Sequence, residues 1–220
     1  MSRVFILRPE PGASETTERA RAKGLDAIAM PLFAVEPVDW TAPDAASFAG
    51  LLLTSANAVR HGGEQVVSLR GLPAYAVGSA TAEAAREAGF DIASTGDAGV
   101  ERLLGSIEPG LRLLHLCGAD RREPNGVSQS ITAVVVYRSR PIDDIDVTGL
   151  RDGVALVHSP RAGQRLAELV DDRATLAIAA ISQAAADAAG TGWRSIDVAE
   201  RPSDDALLAI AARLCNKPGA

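Results

Sequence analysis

The residues of this chain that could do chemistry are mostly hydroxyls, amides and glycines in turns that follow apolar runs. Five such turns begin at Arg8, Ser55, Gly78, Ser159 and Ser182. Each leads into a stretch of helical character, and the amino end of a helix carries free backbone N–H groups and a positive dipole end. The pattern is typical of carboxylate or phosphate binding. Ordinary helix capping explains any single turn equally well.

Tyr137 is the side chain whose type and place suggest proton chemistry. The chain has 2 tyrosines, and this one ends an apolar run just before Arg138 and Arg140. A free phenol has a pKa of about 10, so at neutral pH it donates a hydrogen bond or proton. The alternative is a half-buried tyrosine at a strand end.

Motifs for nucleotide, serine-hydrolase and metal chemistry do not occur in the sequence. There is no GxGxxG, GxxxxGK[ST] or GxSxG segment. Cys117 and Cys215 are far apart and the 3 histidines are scattered, which predicts neither a disulfide scaffold nor a metal site. His158 precedes Ser159, but neighbouring strand residues point to opposite faces, so we interpret His158 as a packing or sheet-end residue.

Composition narrows the possible partners. The 220 residues are 47% hydrophobic, as in a globular protein, and carry 22 Lys+Arg against 28 Asp+Glu, a net charge of −6. This balance predicts no nucleic-acid partner but does not exclude a small polyanion. No apolar run approaches the roughly twenty residues of a membrane span. We expect a cytoplasmic monomer that binds no membrane.

Short apolar runs alternate with Ala-rich helical stretches, which predicts an α/β fold with mostly parallel sheets flanked by helices. The predicted strands are 4–7, 27–33, 51–53, 74–77, 111–116, 133–137, 154–157 and 176–181. The predicted helices are 16–23, 57–61, 80–88, 161–170, 183–189 and 204–214.

An internal repeat divides the chain into two similar lobes. LLLTSANAV around Ser55 matches ALVHSPRAG around Ser159, and 159 − 55 = 104. Gly78 matches Ser182 at the same offset, because 182 − 78 = 104. A constant offset over about fifty residues indicates one plan used twice. Residues 1–35 show no obvious equivalent.

The stretches 34–40 and 133–141 flank the first repeat and are predicted to be two strands that join the lobes. The domains are then 1–35 plus 142–220, which is discontinuous, and 36–141, which is inserted. Ligands of two-lobed α/β proteins bind near the carboxyl ends of strands, so we expect a cleft between the lobes lined by the five turns.

The segments in this order resemble the uroporphyrinogen-III synthase family. They are LRPEPGASE, AMPLFAVEP, LLLTSANAV, YAVGSATAEAAREAGF, LHLCGADRRE, VVVYRSRP, VHSPRAG, and ISQAAADAAG followed by PSDDALL. The resemblance spans nearly the whole chain and implies two α/β lobes joined by a two-stranded connection.

The resemblance also implies a reaction, in haem, sirohaem and cobalamin biosynthesis. The family closes hydroxymethylbilane, a linear tetrapyrrole with eight carboxylates, into uroporphyrinogen III and inverts the last ring through a spiro-pyrrolenine intermediate. It uses no cofactor and no metal. Such a reaction depends on orientation of the substrate more than on strong acids or bases. The alternative is a non-catalytic binding protein or regulator of the same fold.

By the resemblance, Tyr137 is the catalytic residue that assists departure of the substrate hydroxyl. The implied substrate-binding residues are Arg8, Ser55, Asn57, Gly78, Ser79, Thr81, Ser159, Ser182 and Gln183. Two departures bear on this set. Leu7 replaces a threonine before Arg8, and Ser182-Gln183-Ala184-Ala185 replaces a Gly-x-Thr-Thr pattern, so backbone N–H groups must bind more of the carboxylates there.

Overall fold

The computed structural model describes residues 2–97, 99–121 and 123–216. They form two compact α/β units, unit 1 (Met1–Ala34 and Pro141–Ala220) and unit 2 (Val35–Arg140). The strands are β1 (Val4–Ile6), β2 (Ala27–Ala29), β3 (Phe33–Pro37), β4 (Gly50–Leu53), β5 (Ala74–Val77), β6 (Ile92–Gly96), β7 (Arg112–Gly118), β8 (Ser130–Pro141), β9 (Val154–Val157), β10 (Ala177–Ala180) and β11 (Ser195–Val198). The α-helices are α1 (Gly12–Ala22), α2 (Ala56–Arg60), α3 (Ser79–Glu87), α4 (Val100–Gly105), α5 (Pro160–Leu169), α6 (Gln183–Ala189) and α7 (Asp204–Asn216).

Unit 1 is a parallel five-stranded sheet in the order β11-β10-β9-β1-β2. Its strands are short and apolar because both faces are covered. Phe5 and Ala155 point to the face that α5 and α6 cover. Val4 and Ile6 point to the other face, where α1 and α7 pack.

Unit 2 is a six-stranded sheet in the order β3-β8-β7-β4-β5-β6. The strand pairs from β8 to β6 are parallel. Leu51 and Leu53 pack against α2 and α3 on one face. Leu52 and Leu113 pack against α4 on the other face. The carboxyl ends of β4, β5 and β7 therefore share one edge of this sheet, as those of β1, β9 and β10 do in unit 1.

The two sheets repeat the same strand order. Unit 2 runs β6-β5-β4-β7-β8 where unit 1 runs β11-β10-β9-β1-β2. In this match β4 and β9 are equivalent, and 154 − 50 = 104. Residues 1–35 show no obvious equivalent in the sequence, but in the structure β1 and β2 take the places that β7 and β8 hold in unit 2. In unit 1 these two strands precede the other three along the chain, whereas in unit 2 their equivalents follow the other three. A comparison at one constant offset therefore does not find the match.

The predicted α/β class with two similar lobes and mostly parallel sheets is confirmed, and most elements lie where the sequence placed them. The predicted strand 27–33 is wrong, because it divides around Pro31 into β2 and β3, which belong to different sheets. The sequence missed β6, α4 and β11. Helix α1 begins at Gly12, four residues before the predicted start at Thr16. Among the described residues, no helix combines the length and apolar character needed to span a membrane.

Candidate active site

Charged side chains meet at the carboxyl edge of the unit 1 sheet, around Asp204 in the first turn of α7. Arg8, just after β1, places its Nη1 3.2 Å from Asp204 Oδ1. Thr16 donates its hydroxyl to Asp204 Oδ2 at 2.6 Å, and Arg19 donates to the same oxygen at 3.1 Å. We call Arg8, Thr16, Arg19, His158 and Asp204 the Asp204 cluster.

His158 completes the cluster from the end of β9, where its side chain is 7% exposed. Its Nδ1 lies 3.3 Å from the carbonyl oxygen of Leu156. Its Nε2 lies 3.2 Å from Asp204 Oδ1, within ion-pair distance but without the geometry of a hydrogen bond. His158 is therefore a buried member of the Asp204 cluster and more than a packing residue.

The carboxyl of Asp204 stays ionised. Burial by itself would raise its pKa, but contacts with His158, Thr16 and Arg8 outweigh burial and hold the pKa well below its usual value. The guanidinium of Arg8 packs against Gly12, where a Cβ would come within 2.6 Å of Arg8 Nε. The predicted binding residue Arg8 thus has a fixed place and a counter-ion.

The predicted serines of unit 1 cap helices. Ser159 Oγ accepts from the backbone N–H of Ala162 at 3.1 Å, and Ser182 Oγ accepts from that of Ala185 at 3.3 Å. A hydroxyl that accepts in this way keeps its own O–H as a donor. Gln183 is exposed and its amide donates to Asp187 Oδ1 at 2.7 Å.

The predicted turns of unit 2 have the same plan with less charge. Ser55 caps α2 and accepts from the backbone N–H of Asn57 at 3.2 Å. Gly78 precedes α3 with φ +84°, a conformation that favours glycine. Ser79 is exposed, whereas Thr81 is buried at 6% exposure. The burial of Thr81 favours packing over contact with a ligand.

Tyr137 lies on β8 opposite Gly118, at the carboxyl end of β7. A Cβ at position 118 would come within 2.7 Å of the ring carbons of Tyr137. Only glycine at position 118 therefore lets the Tyr137 ring occupy its observed position. The ring of His61, which follows α2, is centred 6.3 Å from that of Tyr137. Burial, with a smaller effect from Arg60, lowers the pKa of His61.

A buried histidine of unit 2 lies on β7. His115 is 2% exposed, and its Nε2 lies 2.9 Å from the hydroxyl oxygen of Thr54. Burial, aided by the charge of Arg121, lowers the pKa of His115 from its usual 6.5 to about 4. His115 is therefore neutral at pH 7, and its pair with Thr54 carries no charge.

The structure thus gathers the predicted residues into two strand-end sets, one in each unit. Unit 2 holds Tyr137 with Ser55, Asn57, Gly78 and Ser79, while unit 1 holds Arg8 with Ser159, Ser182 and Gln183. Sequence reasoning missed the ionic role of His158 and Asp204, which are 46 residues apart (204 − 158). The available signal was PSDDALL, which contains Asp204. Within residues 2–97, 99–121 and 123–216, no group of three or more His, Cys, Asp or Glu side chains could hold a metal ion.

The family model described as Uroporphyrinogen-III synthase HemD matches residues 14–209. Among solved structures, the uroporphyrinogen-III synthetase of Helicobacter pylori aligns with 97% of this chain and 100% of its own, at 17% identity and a TM-score of 0.69. A mutant uroporphyrinogen III synthase of Thermus thermophilus aligns with 99% of this chain and 100% of its own, at 19% identity and a TM-score of 0.54. At these identities the two structures show a shared fold. No curated protein matched the chain.

Proposed function

Because the chain belongs to the uroporphyrinogen-III synthase family of cyclising lyases in tetrapyrrole biosynthesis, we propose that it converts hydroxymethylbilane into uroporphyrinogen III. The observation that carries this proposal is the family match over residues 14–209. Loss of the substrate hydroxyl as water gives an azafulvene on the first ring. The last ring attacks it to form a spiro-pyrrolenine, which fragments and recloses with that ring inverted.

We assign the acid assistance to Tyr137, whose phenol donates toward the departing hydroxyl. Its ring is fixed against Gly118 at the carboxyl end of β7. Among the described residues its hydroxyl has no hydrogen-bond partner, which leaves the O–H to a substrate. The neighbouring His61 has a lowered pKa, so it adds no fixed positive charge beside the phenol at neutral pH.

The substrate carboxylates are assigned to the strand-end turns. Arg8 supplies positive charge in unit 1, and the capping hydroxyls of Ser55, Ser159 and Ser182 supply O–H donors. Asn57, Gly78, Ser79 and Gln183 complete the set, and Thr81 contributes through packing at the start of α3. No comparison supports the alternative of a non-catalytic binding protein.

Three further assignments rest on the sequence. Residues 36–141 form an inserted domain within 1–35 plus 142–220, which the compact units Val35–Arg140 and Met1–Ala34 with Pro141–Ala220 support. The chain works as a monomer that binds no nucleic acid. It works in the cytoplasm, for which its free cysteines are the support.

The activity is tested by supplying freshly generated hydroxymethylbilane and separating the oxidised uroporphyrin isomers. We expect isomer III in the presence of the protein and isomer I, the spontaneous product, with heat-denatured protein. Isomer I alone with the folded protein would contradict the proposed function.

Replacement of Tyr137 by phenylalanine tests its role. Removing the phenolic O–H is expected to lower kcat by about a hundredfold, the usual scale for a lost general acid. The matched control is Tyr75→Phe, since Tyr75 is the other tyrosine and also packs on a glycine, Gly50. Equal kcat for both variants would leave Tyr137 without a catalytic role.

Replacement of Gly118 by alanine tests whether the position of the ring matters while the phenol is kept. The added Cβ must displace the ring, and we expect kcat to fall by about tenfold or more. The measurement is kcat together with the thermal midpoint. A normal kcat in Gly118→Ala would show that the placement of Tyr137 is not critical.

A further inference from the structure

The guanidinium of Arg8 is held through one nitrogen, Nη1. This atom donates to Asp204 Oδ1 at 3.2 Å and Oδ2 at 3.3 Å, and to the hydroxyl oxygen of Thr16 at 3.4 Å. Nε and Nη2 have no partner among the described residues, and the side chain is 36% exposed. Nε and Nη2 together form one of the paired donor edges with which a guanidinium binds a carboxylate. A complete edge of Arg8 is therefore left for a ligand.

Gly12 supports the flat face of this guanidinium. A Cβ at Gly12 would lie 2.6 Å from Arg8 Nε, 2.7 Å from Cζ and 2.9 Å from Nη2. Because the central carbon Cζ is as near as the two nitrogens, the face of the group packs on the glycine. The Nε–Nη2 edge is therefore not blocked by this backbone.

The carboxylate that holds Arg8 is itself fixed. Thr16, which is fully buried, donates to Asp204 Oδ2 at 2.6 Å, and Arg19 donates to the same oxygen at 3.1 Å. The Asp204 side chain is 14% exposed. Arg8 is thus held from below by Gly12 and at one end by a carboxylate that cannot turn freely. A side chain fixed before binding loses less conformational entropy when a ligand arrives.

The negative charge of Asp204 does not cancel the attraction for an anion. Arg8 and Arg19 both pair with this single carboxylate, so two cations meet one anion. Asp205, which also contacts Arg19, has Lys23 Nζ 3.9 Å from its carboxylate. One positive charge therefore remains among these paired groups, and it favours a carboxylate beside Arg8.

We propose that Asp204 and Thr16 are positioning residues, which hold Arg8 by Nη1 so that its Nε–Nη2 edge receives one substrate carboxylate. The inference rests on the proposed function, in which the substrate is a polycarboxylate. A contact with a peripheral carboxylate is equally strong before and during the reaction. Its loss therefore raises KM and leaves kcat nearly unchanged.

Steady-state kinetics with hydroxymethylbilane test the inference. Arg8→Gln and Asp204→Asn should each raise KM about tenfold, since the Asn amide turns an NH₂ group toward a donor that had an acceptor. Asp205→Asn is the matched control and should keep the normal KM. The double variant Arg8→Gln with Asp204→Asn should have the KM of Arg8→Gln alone, because Asp204 acts through Arg8. A normal KM in Asp204→Asn, or multiplied effects in the double variant, would overturn the proposal.

The hydroxyl of Thr16 is tested by an isosteric change. Thr16→Val should raise KM about threefold, and Thr16→Ser should restore it. Thr17→Val is the matched control, because the Thr17 hydroxyl donates to the carbonyl oxygen of Ala13 at 2.7 Å. Equal KM values in Thr16→Val and Thr17→Val would remove Thr16 from the positioning role.

Nitrogen-15 relaxation of the Arg8 Nε–H group measures the positioning without turnover. We expect a rigid group in the unmodified protein and in Asp205→Asn, and a mobile one in Asp204→Asn that is folded by circular dichroism. A rigid Arg8 in folded Asp204→Asn would refute the positioning role. Absence of isomer III with the unmodified protein would instead contradict the proposed function, and the relaxation data would still decide whether Asp204 holds Arg8.

Discussion

At the end of β9 in unit 1 stands His158, and at the matching end of β4 in unit 2 stands Thr54, since 158 − 54 = 104. His158 approaches Asp204 within an ionic cluster, whereas Thr54 forms an uncharged pair with the buried His115. The same strand plan thus holds charge at one sheet edge and hydroxyls at the other. The comparison teaches that the repeat keeps backbone positions and leaves the strand-end side chains free to diverge.

This difference predicts that the two units respond to acid in different pH ranges. Trp193 lies in unit 1 and Trp40 in unit 2, and they are the 2 tryptophans of the chain. Trp40→Phe leaves a fluorescence reporter in unit 1, and Trp193→Phe leaves one in unit 2. These two backgrounds let each unit be followed separately.

The largest effect is expected from His115. Its folded pKa of about 4 is below its usual 6.5, so between these values the unfolded chain binds a proton that the folded chain excludes. Stability is therefore complete above about pH 6.5 and falls by about 3 kcal/mol as the pH drops toward 4. Urea unfolding of the Trp193→Phe background across this range measures the loss. His115→Gln should flatten the profile, and a persisting slope of the same size would assign it to other groups.

A somewhat smaller effect is expected from Asp204. Its folded pKa lies below its usual 3.8, so its contribution is present above about pH 4 and is lost as the pH falls further. Asp204→Asn should destabilise unit 1 by about 2 kcal/mol at pH 7, because the donors of Arg8, Thr16 and Arg19 lose their anion. The control is Asp205→Asn, whose carboxylate is 72% exposed. Equal free energies of unfolding in the two variants would mean that the cluster does not stabilise unit 1.

The smallest effects are expected from the equivalent caps. Ser55→Ala and Ser159→Ala each remove the acceptor of one backbone N–H and should cost about 1 kcal/mol. Ser128→Ala changes an exposed serine and should cost less than about 0.5 kcal/mol. Chemical denaturation of the three variants sharpens the comparison, since similar losses at positions 55 and 159 indicate that the capping role is shared. A loss at only one position would show that the two turns have separate roles.

Sequence patterns predicted the strands that are apolar on both faces, such as β4, β5 and β9, because burial leaves a continuous apolar run. They failed for β6 and β11, where polar residues interrupt the apolar ones in IASTG and SIDV. Both are edge strands, and their partly exposed positions carry the polar residues that weaken the signal.

The candidate site was predictable to the extent that its residues follow strands directly. Arg8, Ser55 and Ser159 could be placed at strand ends because each stands next to an apolar run. The contact of His158 with Asp204 could not be predicted from the sequence, because it joins the end of β9 to the start of α7 and leaves no local pattern. The hydrogen bonds of Gln129 could not be predicted for the same reason, since its partners lie 21 to 25 residues away along the chain.

Strands β1 and β2 precede unit 2 along the chain and the other strands of unit 1 follow it, which has a consequence for synthesis on the ribosome. Unit 2 is contiguous, from Val35 to Arg140, and is complete when three of the five strands of unit 1 have still to be made. Val4 pairs with Ala27 on one side but with Val154, 150 residues later, on the other, so one edge of β1 stays open until β9 is made. Unit 2 can therefore fold before the sheet of unit 1 is complete, and the open edge of β1 is a place for wrong strand pairing until β9 is made.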